Sequence, residues 1–240
     1  MSKGLRVAVA TVLFFAHVTL LSVAPVRIPS APRARGASLE ESSLSDAFAP
    51  ALDQLFHQGR TLHGWTDRPV ERALLVRLYE TLRMAPTAFN SQPLRLIFVT
   101  SPEAKERLMP ALQPSNVEQT RQAPVTAIVA FDTAFHTHLT TLLPQWPVAA
   151  AHVGGLPAPA REQIGIVNAS LQAGYLMIVA RGLGLDVGPM TGLDTSKVDA
   201  AFFADGSAKT IMCINLGYGA AETLRPRGPR LDFDTACSFA

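Results

Sequence analysis

The stretch Ala85-Pro86-Thr87-Ala88-Phe89-Asn90-Ser91-Gln92-Pro93 runs directly into the mostly apolar segment Leu94 to Val99. Pro86 ends a helical pattern, small polar residues make a turn, and a strand follows. A polar turn at the entrance to a buried strand can present several hydrogen-bonding groups without leaving them dry and unpaired. Asn90 and Gln92 each carry donors and an acceptor, which suits the edge of a ligand as well as it suits solvent. Asn, Ser and Pro are also the commonest turn residues, so the meaning of this turn depends on its surroundings.

Upstream, Val70, Leu74, Leu75, Leu78 and Leu82 form a helical apolar stripe, with Glu71, Arg72, Arg77 and Glu80 outside it. Asp67 is placed to cap that helix, with Pro69 in its first turn. Phe48, Leu52, Leu55 and Phe56 predict an earlier helix over 45–58, although Pro50 blurs its start. Downstream, Ser101-Pro102-Glu103 is a helix start, and Val125 to Phe131 reads as a strand covered on both faces. Residues 132–160 are rich in Pro, Ala, Gly and Thr and read as a mobile lid or surface excursion. A long apolar helix is predicted from Gln163 to Leu185, interrupted by Asn168, Gln172 and Arg181. Such interruptions argue against a membrane span and for burial in a core or between subunits. Gly188 to Gly192 reads as a tight loop, Asp194 caps a helix reaching Phe203, and Ile211 to Leu216 is a third strand. This order fits an α+β three-layer sandwich. No Gly-x-Gly-x-x-Gly follows a first strand, which argues against a Rossmann-type dinucleotide fold.

A net charge of +2 on 240 residues gives no broad nucleic-acid footprint. The 48% hydrophobic content supports one sizeable core. Arginines gather at Arg225, Arg227 and Arg230, with Arg60 apart; such a cluster reads as phosphate contacts or as a solvated terminus. Cys213 sits in an apolar run and reads as a buried small hydrophobe, and nothing in Cys213 and Cys237 suggests a disulfide framework. His136 and His138 lack an evident third ligand, so no metal is expected.

Residues 1–44 stand apart from the expected folded domain at 45–240. Lys3 and Arg6 precede the uncharged stretch Val7 to Ala24, and Pro25 ends it. Three readings stay open: a secretory leader, a membrane anchor, or a segment upstream of the true start. The domain after it reads as cytoplasmic, with export or anchoring through residues 7–24 as the alternative.

The chain resembles the FMN-dependent nitroreductase family over essentially all of residues 45–240. The segments that carry the resemblance are Arg60-Thr61-Leu62-His63-Gly64-Trp65, Ala85 to Pro93, Asn116-Val117-Glu118-Gln119, Gly182 to Gly192, Asn215 to Gly219 and Pro226 to Leu231. Within the family it looks most like the branch of the malonic semialdehyde reductase of pyrimidine degradation. The resemblance implies a dimer-forming sandwich with a central mixed sheet flanked by helices, and a homodimer with FMN at the subunit interface. It implies that Arg60, Arg227 and Arg230 hold the phosphate, with Thr61 and His63 beside them. Guanidinium groups suit that role because they donate paired hydrogen bonds and stay charged. Pro86, Thr87, Asn90 and Gln92 would reach the flavin of the partner subunit. Asn116 would bond the pyrimidine part of the ring. Pro189, Met190, Thr191 and Gly192 would lie against one ring face, with Gly192 allowing close backbone approach.

The activity implied is hydride transfer from NADPH or NADH through FMN to a small acceptor, first of all malonic semialdehyde, giving 3-hydroxypropanoate. The flavin carries the chemistry; the proton for the reduced acceptor could come from water or from Thr191, and no metal is involved. Two alternatives remain open: a broad nitro, quinone or enone reductase, and a non-catalytic or membrane-tethered flavin-binding protein. Two departures from the family pattern bear on the site. Gly64 and Gln119 stand where members commonly place a cation near the flavin, and Phe89 to Pro93 is closer to the general nitroreductase version than to the semialdehyde reductase branch.

Overall fold

The computed structural model describes residues 41–240, and the leader-like segment expected over 1–44 lies almost wholly outside them. The first helix, α1 (Glu41–Leu52), continues into a π-helical turn, Asp53–His57. After a connector come α2 (Arg72–Leu82), β1 (Leu94–Val99), α3 (Pro102–Leu108), α4 (Pro114–Gln122) and β2 (Val125–Asp132). Then follow α5 (Leu139–Leu142), α6 (Ala149–Gly154), α7 (Ala158–Gly182), β3 (Asp186–Met190), α8 (Thr195–Phe202), β4 (Ala208–Gly217) and α9 (Phe233–Ala236).

The four strands form one sheet in the order β1-β2-β4-β3. Side-chain alternation along the strands builds two cores. Val125, Ala127, Val129 and Phe131 of β2, with Ile214 and Leu216 of β4, pack against α2 and α7 through Leu78, Leu82, Ala173 and Leu176. Ile128 and Cys213 point the other way, to Leu108, Met109 and Val198. Helices therefore cover both faces, which is the three-layer α+β sandwich. All of β2 is buried, as its apolar run required.

The sheet departs from the expected mixed one: its three strand pairs are antiparallel. Two helices, α3 and α4, separate β1 from β2, and Val99 pairs with Thr126. That double excursion returns the chain to the end of the sheet it left, whereas a single crossover helix gives parallel strands. The only parallel pairing among the described residues is an isolated bridge between Thr61 and Val187. Gly188, Pro189 and Met190 also differ from expectation, since they belong to edge strand β3 rather than to a tight loop. An edge strand tolerates proline because one side of its backbone has no ladder to lose.

Ser101 and Asp194 cap α3 and α8 as expected, accepting from Ala104 N and Lys197 N, both at 3.2 Å. Asp67 does not cap α2, which begins only at Arg72 with Glu71 before it. Residues 132–160 are not a structureless excursion. Short helices there bury Phe135, Leu139, Ala149 and Val153 in a separate small core. Each apolar run is too short to show a period, so composition alone reads as loop.

Helix α7 is long and apolar enough to cross a membrane by length and composition, with a mean hydropathy of 1.3 over its best window. Its polar interruptions serve the fold instead. Asn168 Oδ1 accepts from Ala88 N at 2.7 Å, and Gln172 Oε1 accepts from Leu94 N at 3.1 Å. Arg181 Nη1 donates to Leu55 O at 3.0 Å. Two of these anchors fix the turn that precedes β1, and the third fixes the π-helical turn.

Candidate functional site

The connector after α1 is strapped across the end of the sheet. Leu62 N donates to Val187 O, Thr66 N to Tyr218 O, and Ala220 N to Gly64 O, at 3.1, 2.8 and 3.1 Å. Leu62, Gly64 and Trp65 are buried by this arrangement, while Arg60, Thr61 and His63 are left along an open cavity. The cavity encloses about 770 Å³. Arg60, Arg181, Arg225, Arg227 and Arg230 all line it, and none of its lining residues is a carboxylate.

Several of those guanidinium groups hold the surrounding backbone. Arg227 Nη2 donates to His57 O at 2.5 Å and to Gly59 O at 3.0 Å. Arg60 donates to Arg225 O, and Arg230 Nη1 donates to Gly228 O and Pro229 O at 2.9 and 3.0 Å. Arg181 sits deepest, with an Nε that has no partner among the described residues. Burial and the neighbouring Arg227 charge pull its pKa down, with Asp186 opposing them. Gly59 makes this packing possible: a Cβ there would meet the Arg181 guanidinium at 2.9 Å and Leu55 O at 2.6 Å. Five concentrated positive charges with no carboxylate among them suit an anion that accepts several charge-assisted hydrogen bonds, such as a phosphate ester.

From His63 a chain of side-chain bonds leads away from the arginines. His63 Nδ1 lies 2.7 Å from Gln119 Oε1, Gln119 Nε2 donates to Asn116 Oδ1 at 2.7 Å, and Asn116 Nδ2 donates to Gly192 O at 2.9 Å. Gln113 N also donates to Gly192 O at 2.9 Å, so α4 holds the residues that follow β3. A Cβ on Gly192 would sit 2.6 Å from Gln113 Oε1 and 2.7 Å from Asn116 Nδ2. The glycine is thus required by its own chain neighbours, whatever approaches from outside. Pro189 is half-buried, Met190 is buried and Thr191 is exposed.

The site residues expected from the sequence fall into two groups. Arg60, Thr61, His63, Arg227 and Arg230 share the cavity, and Asn116 and Gly192 are tied to it through Gln119. Pro86, Thr87, Asn90 and Gln92 do not line it. Gln92 instead borders a smaller cleft of about 260 Å³ with Arg95, His138 and Leu142. The turn is held in an unusual backbone shape, with φ of 59° at Phe89, 52° at Asn90 and 42° at Gln92. Non-glycine residues in that region cost free energy and persist only where surroundings fix them. Here Asn90 Nδ2 donates to Leu142 O at 2.9 Å, Gln92 Nε2 to Asn90 Oδ1 at 2.9 Å, and Gln92 N to Thr87 Oγ1 at 3.2 Å.

Sequence reading did not single out Arg181 as a cavity residue, and named Arg225 only within a cluster that could be phosphate contacts or a solvated terminus. Arg181 is a lone charge in an otherwise apolar helix end, and that is the signal that could have marked it. The His136 and His138 pair holds no metal-ligand set, and no cluster of three metal-ligating side chains occurs among the described residues. His138 Nε2 instead lies 3.1 Å from Asp132 Oδ2, which Arg95 also engages. Burial pushes the Cys213 thiol up to about 12, so it is no nucleophile.

Comparison with known proteins bears on the family and the fold. A Ralstonia nicotianae protein provisionally named NADH dehydrogenase/NAD(P)H nitroreductase is 50% identical over 187 residues, covering 78% of this chain and 94% of that protein. A Stenotrophomonas maltophilia protein of the same provisional name is 49% identical over 192 residues, covering 80% and 97%. Among solved structures, a nitroreductase of Exiguobacterium sibiricum in complex with FMN superposes with a TM-score of 0.70 at 20% identity, covering 78% of this chain and 96% of that one. A gut-bacterial enone reductase, CLA-ER, superposes at 0.69 with 22% identity over 78% and 97%. At such identities the superpositions speak for the fold alone. The profile of the nitroreductase family matches residues 60–218, from the first cavity arginine to the end of β4, and the chain belongs to that family.

Proposed function

We propose that this protein is an NAD(P)H-dependent FMN oxidoreductase in which Arg60, Arg227 and Arg230 hold the cofactor phosphate. The observation that carries the reading is the carboxylate-free arginine cavity joined by a hydrogen-bonded amide chain to Gly192. FMN, when bound, supplies the hydride chemistry, accepting from NADPH or NADH and passing hydride to the acceptor. The protein's part is to place the reactants. The arginines fix the phosphate end, and Thr61 and His63 stand where the ribityl chain would begin. Asn116, Gln119 and Gly192 form the wall toward the ring. Thr191 is exposed beside that wall and is the side chain placed to give a proton to a reduced acceptor. Fixed positioning of donor and acceptor is the main source of rate in such a site.

The working form in this reading is a homodimer in the cytoplasm. Val167, Leu171 and Tyr175 recur every four residues on α7 and are 52%, 45% and 38% exposed, and Phe48, Leu52 and Phe56 are exposed on the first helical segment. A second copy would cover these faces and bring its own Asn90–Gln92 turn to the flavin.

The acceptor expected from the resemblance is malonic semialdehyde. A broad nitro, quinone or enone reductase is the second reading, favoured by the nitroreductase names of relatives at 48–50% identity. Purified protein given NADPH or NADH without oxygen should lose its yellow colour, and each acceptor should restore it at a measurable rate. Malonic semialdehyde ahead of menadione and a nitroarene supports the first reading. The reverse order selects the second, and FMN bound but never bleached by either nicotinamide would leave a non-catalytic flavin protein.

A further inference from the structure

Half of the chain's six histidines, His136, His138 and His152, lie in the patch at 132–160. His138 Nε2 sits 3.1 Å from Asp132 Oδ2, and His152 packs against Trp146 with ring centroids 5.3 Å apart. His136 is placed differently. Its ring lies so close to α6 that a Cβ on Gly154 would meet its Cδ2 at 2.9 Å. It meets Phe135, a buried member of the small core, edge to face with centroids 6.1 Å apart. Its Nδ1 is buried and has no hydrogen-bond partner among the described residues.

That nitrogen is tolerated there only without a proton. A neutral imidazole can keep its one N–H on Nε2 and leave Nδ1 bare, whereas the imidazolium must donate from both. A buried cationic N–H with no acceptor is costly. The surrounding charges do not relieve it. From α7, Arg161 donates to Gly154 O at 3.0 Å and to Leu156 O at 3.1 Å, which fixes a cation beside the ring. Asp132 of β2 is the counter-charge that acts on it, but its Oδ1 accepts from Ala134 N at 2.7 Å and its Oδ2 faces Arg95 and His138. Glu162 of α7 is paired with Lys209 at 3.1 Å. The α5 helix brings no titratable group, and α6 brings only His152. Burial first, and Arg161 second, hold the His136 pKa below its ordinary value, with Asp132 opposing them. The packed ring therefore supports the patch fully above the ordinary imidazole value of 6.5, and that support is lost as pH falls below it.

The patch is tied to the Asn90 turn at two points. Leu142 O accepts from Asn90 Nδ2 at 2.9 Å, and the Trp146 ring stands 5.7 Å from that of Phe89. We infer that His136 is an acid-sensitive latch: on taking up a proton it leaves Gly154, the small core opens, and the turn loses both ties. The sheet and the arginine cavity keep their own packing, so the opening is local and reversible. Its effect on turnover rests on the flavin reading; the opening itself does not.

The full-length protein labelled with fluorotryptophan carries two fluorine signals, from Trp65 and Trp146, assigned by the loss of one in Trp146→Phe. Lowering the pH from about 8 to about 5 should move the Trp146 signal, while that of Trp65 stays and far-UV circular dichroism keeps its shape. His136→Phe keeps a ring against Gly154 but takes no proton, and it should hold the Trp146 signal at its high-pH position. His136→Gln repeats the test should the phenyl ring misfit. His138→Gln and His152→Gln should each leave the transition in place. Turnover of the FMN-loaded protein should fall at least about twofold in step with the signal, and His136→Phe should be spared that fall. A fixed Trp146 signal overturns the latch, as does a transition that survives both His136 variants or vanishes with His138 or His152. A protein never bleached by NADPH or NADH defeats the flavin reading, and the Trp146 signal then decides the latch alone.

Discussion

The arginine cavity and the Pro86–Gln92 turn are both anchored to α7, yet they are built in opposite ways. The cavity draws on four parts of one chain: the π-helical turn, the connector at 59–63, the end of α7, and the segment 225–230. Its charged donors are braced on backbone oxygens, and its shape is defined without help from outside. The turn is local, largely exposed, and kept in a costly backbone shape by its own side chains, by Leu142 and by two amides of α7. Non-glycine residues with positive φ persist where contacts fix them, and here those contacts come from within the chain. In the proposed reading the cavity supplies the affinity for the cofactor phosphate. In the proposed dimer the turn would face the partner's flavin.

Removing charge from the cavity should have the largest consequence. Arg60→Ala combined with Arg230→Ala should weaken FMN by about a hundredfold or more, since each charge-assisted bond is worth ~1.5–3 kcal/mol. Equilibrium dialysis measures the loss, and intact flavin occupancy would remove the phosphate assignment. Gln172→Leu acts on the turn alone. It leaves the buried Leu94 amide without an acceptor, and urea unfolding should report a loss of about 1–3 kcal/mol. Phosphate affinity should stay as it was; a parallel fall would mean that the two regions are coupled through α7.

Salt separates them more gently. The Debye length shrinks from about 30 Å at 0.01 M to about 8 Å at 0.15 M, so FMN affinity should drop several-fold over that range. The slope should be unchanged in turn variants and flatter in Arg230→Ala. The smallest expected effect on stability is that of Asn90→Gly. Relief of a positive φ partly offsets the lost bonds to Leu142 and Gln92, both exposed, leaving a net loss within about 1 kcal/mol. Acceptor turnover should nonetheless fall about tenfold if the turn serves the partner's flavin, as the loss of one hydrogen bond predicts. Unchanged turnover would reduce the turn to a structural joint.

The same contrast explains what could be read from the sequence. The cavity residues Arg60, Arg227 and Arg230 stood out because charge is visible in composition, and Ser101 and Asp194 because capping is a local event. Pro189 was misleading: its partner in the ladder, Ile214, lies 25 residues further on, and proline in isolation reads as a turn. Residues 132–160 failed for a similar reason, since Phe135 finds Val153 only after the chain has doubled back. Arg181 looked like a blemish in an apolar helix because its counterpart, Leu55 O, belongs to a segment more than a hundred residues earlier. Periodicity and caps are short-range signals, and these contacts are not.

The small core formed by Phe135, Leu139, Ala149 and Val153 has a consequence for how such a protein can change. Its packing is largely local, with Ile164 and Arg161 of α7 closing one side, so its shape can change with little effect on the sheet and the arginines. Its Trp146 reaches Phe89 of the turn, with ring centroids 5.7 Å apart. Substitutions within this patch could therefore reshape the surface beside the turn while the sheet and the arginine cavity keep their own packing.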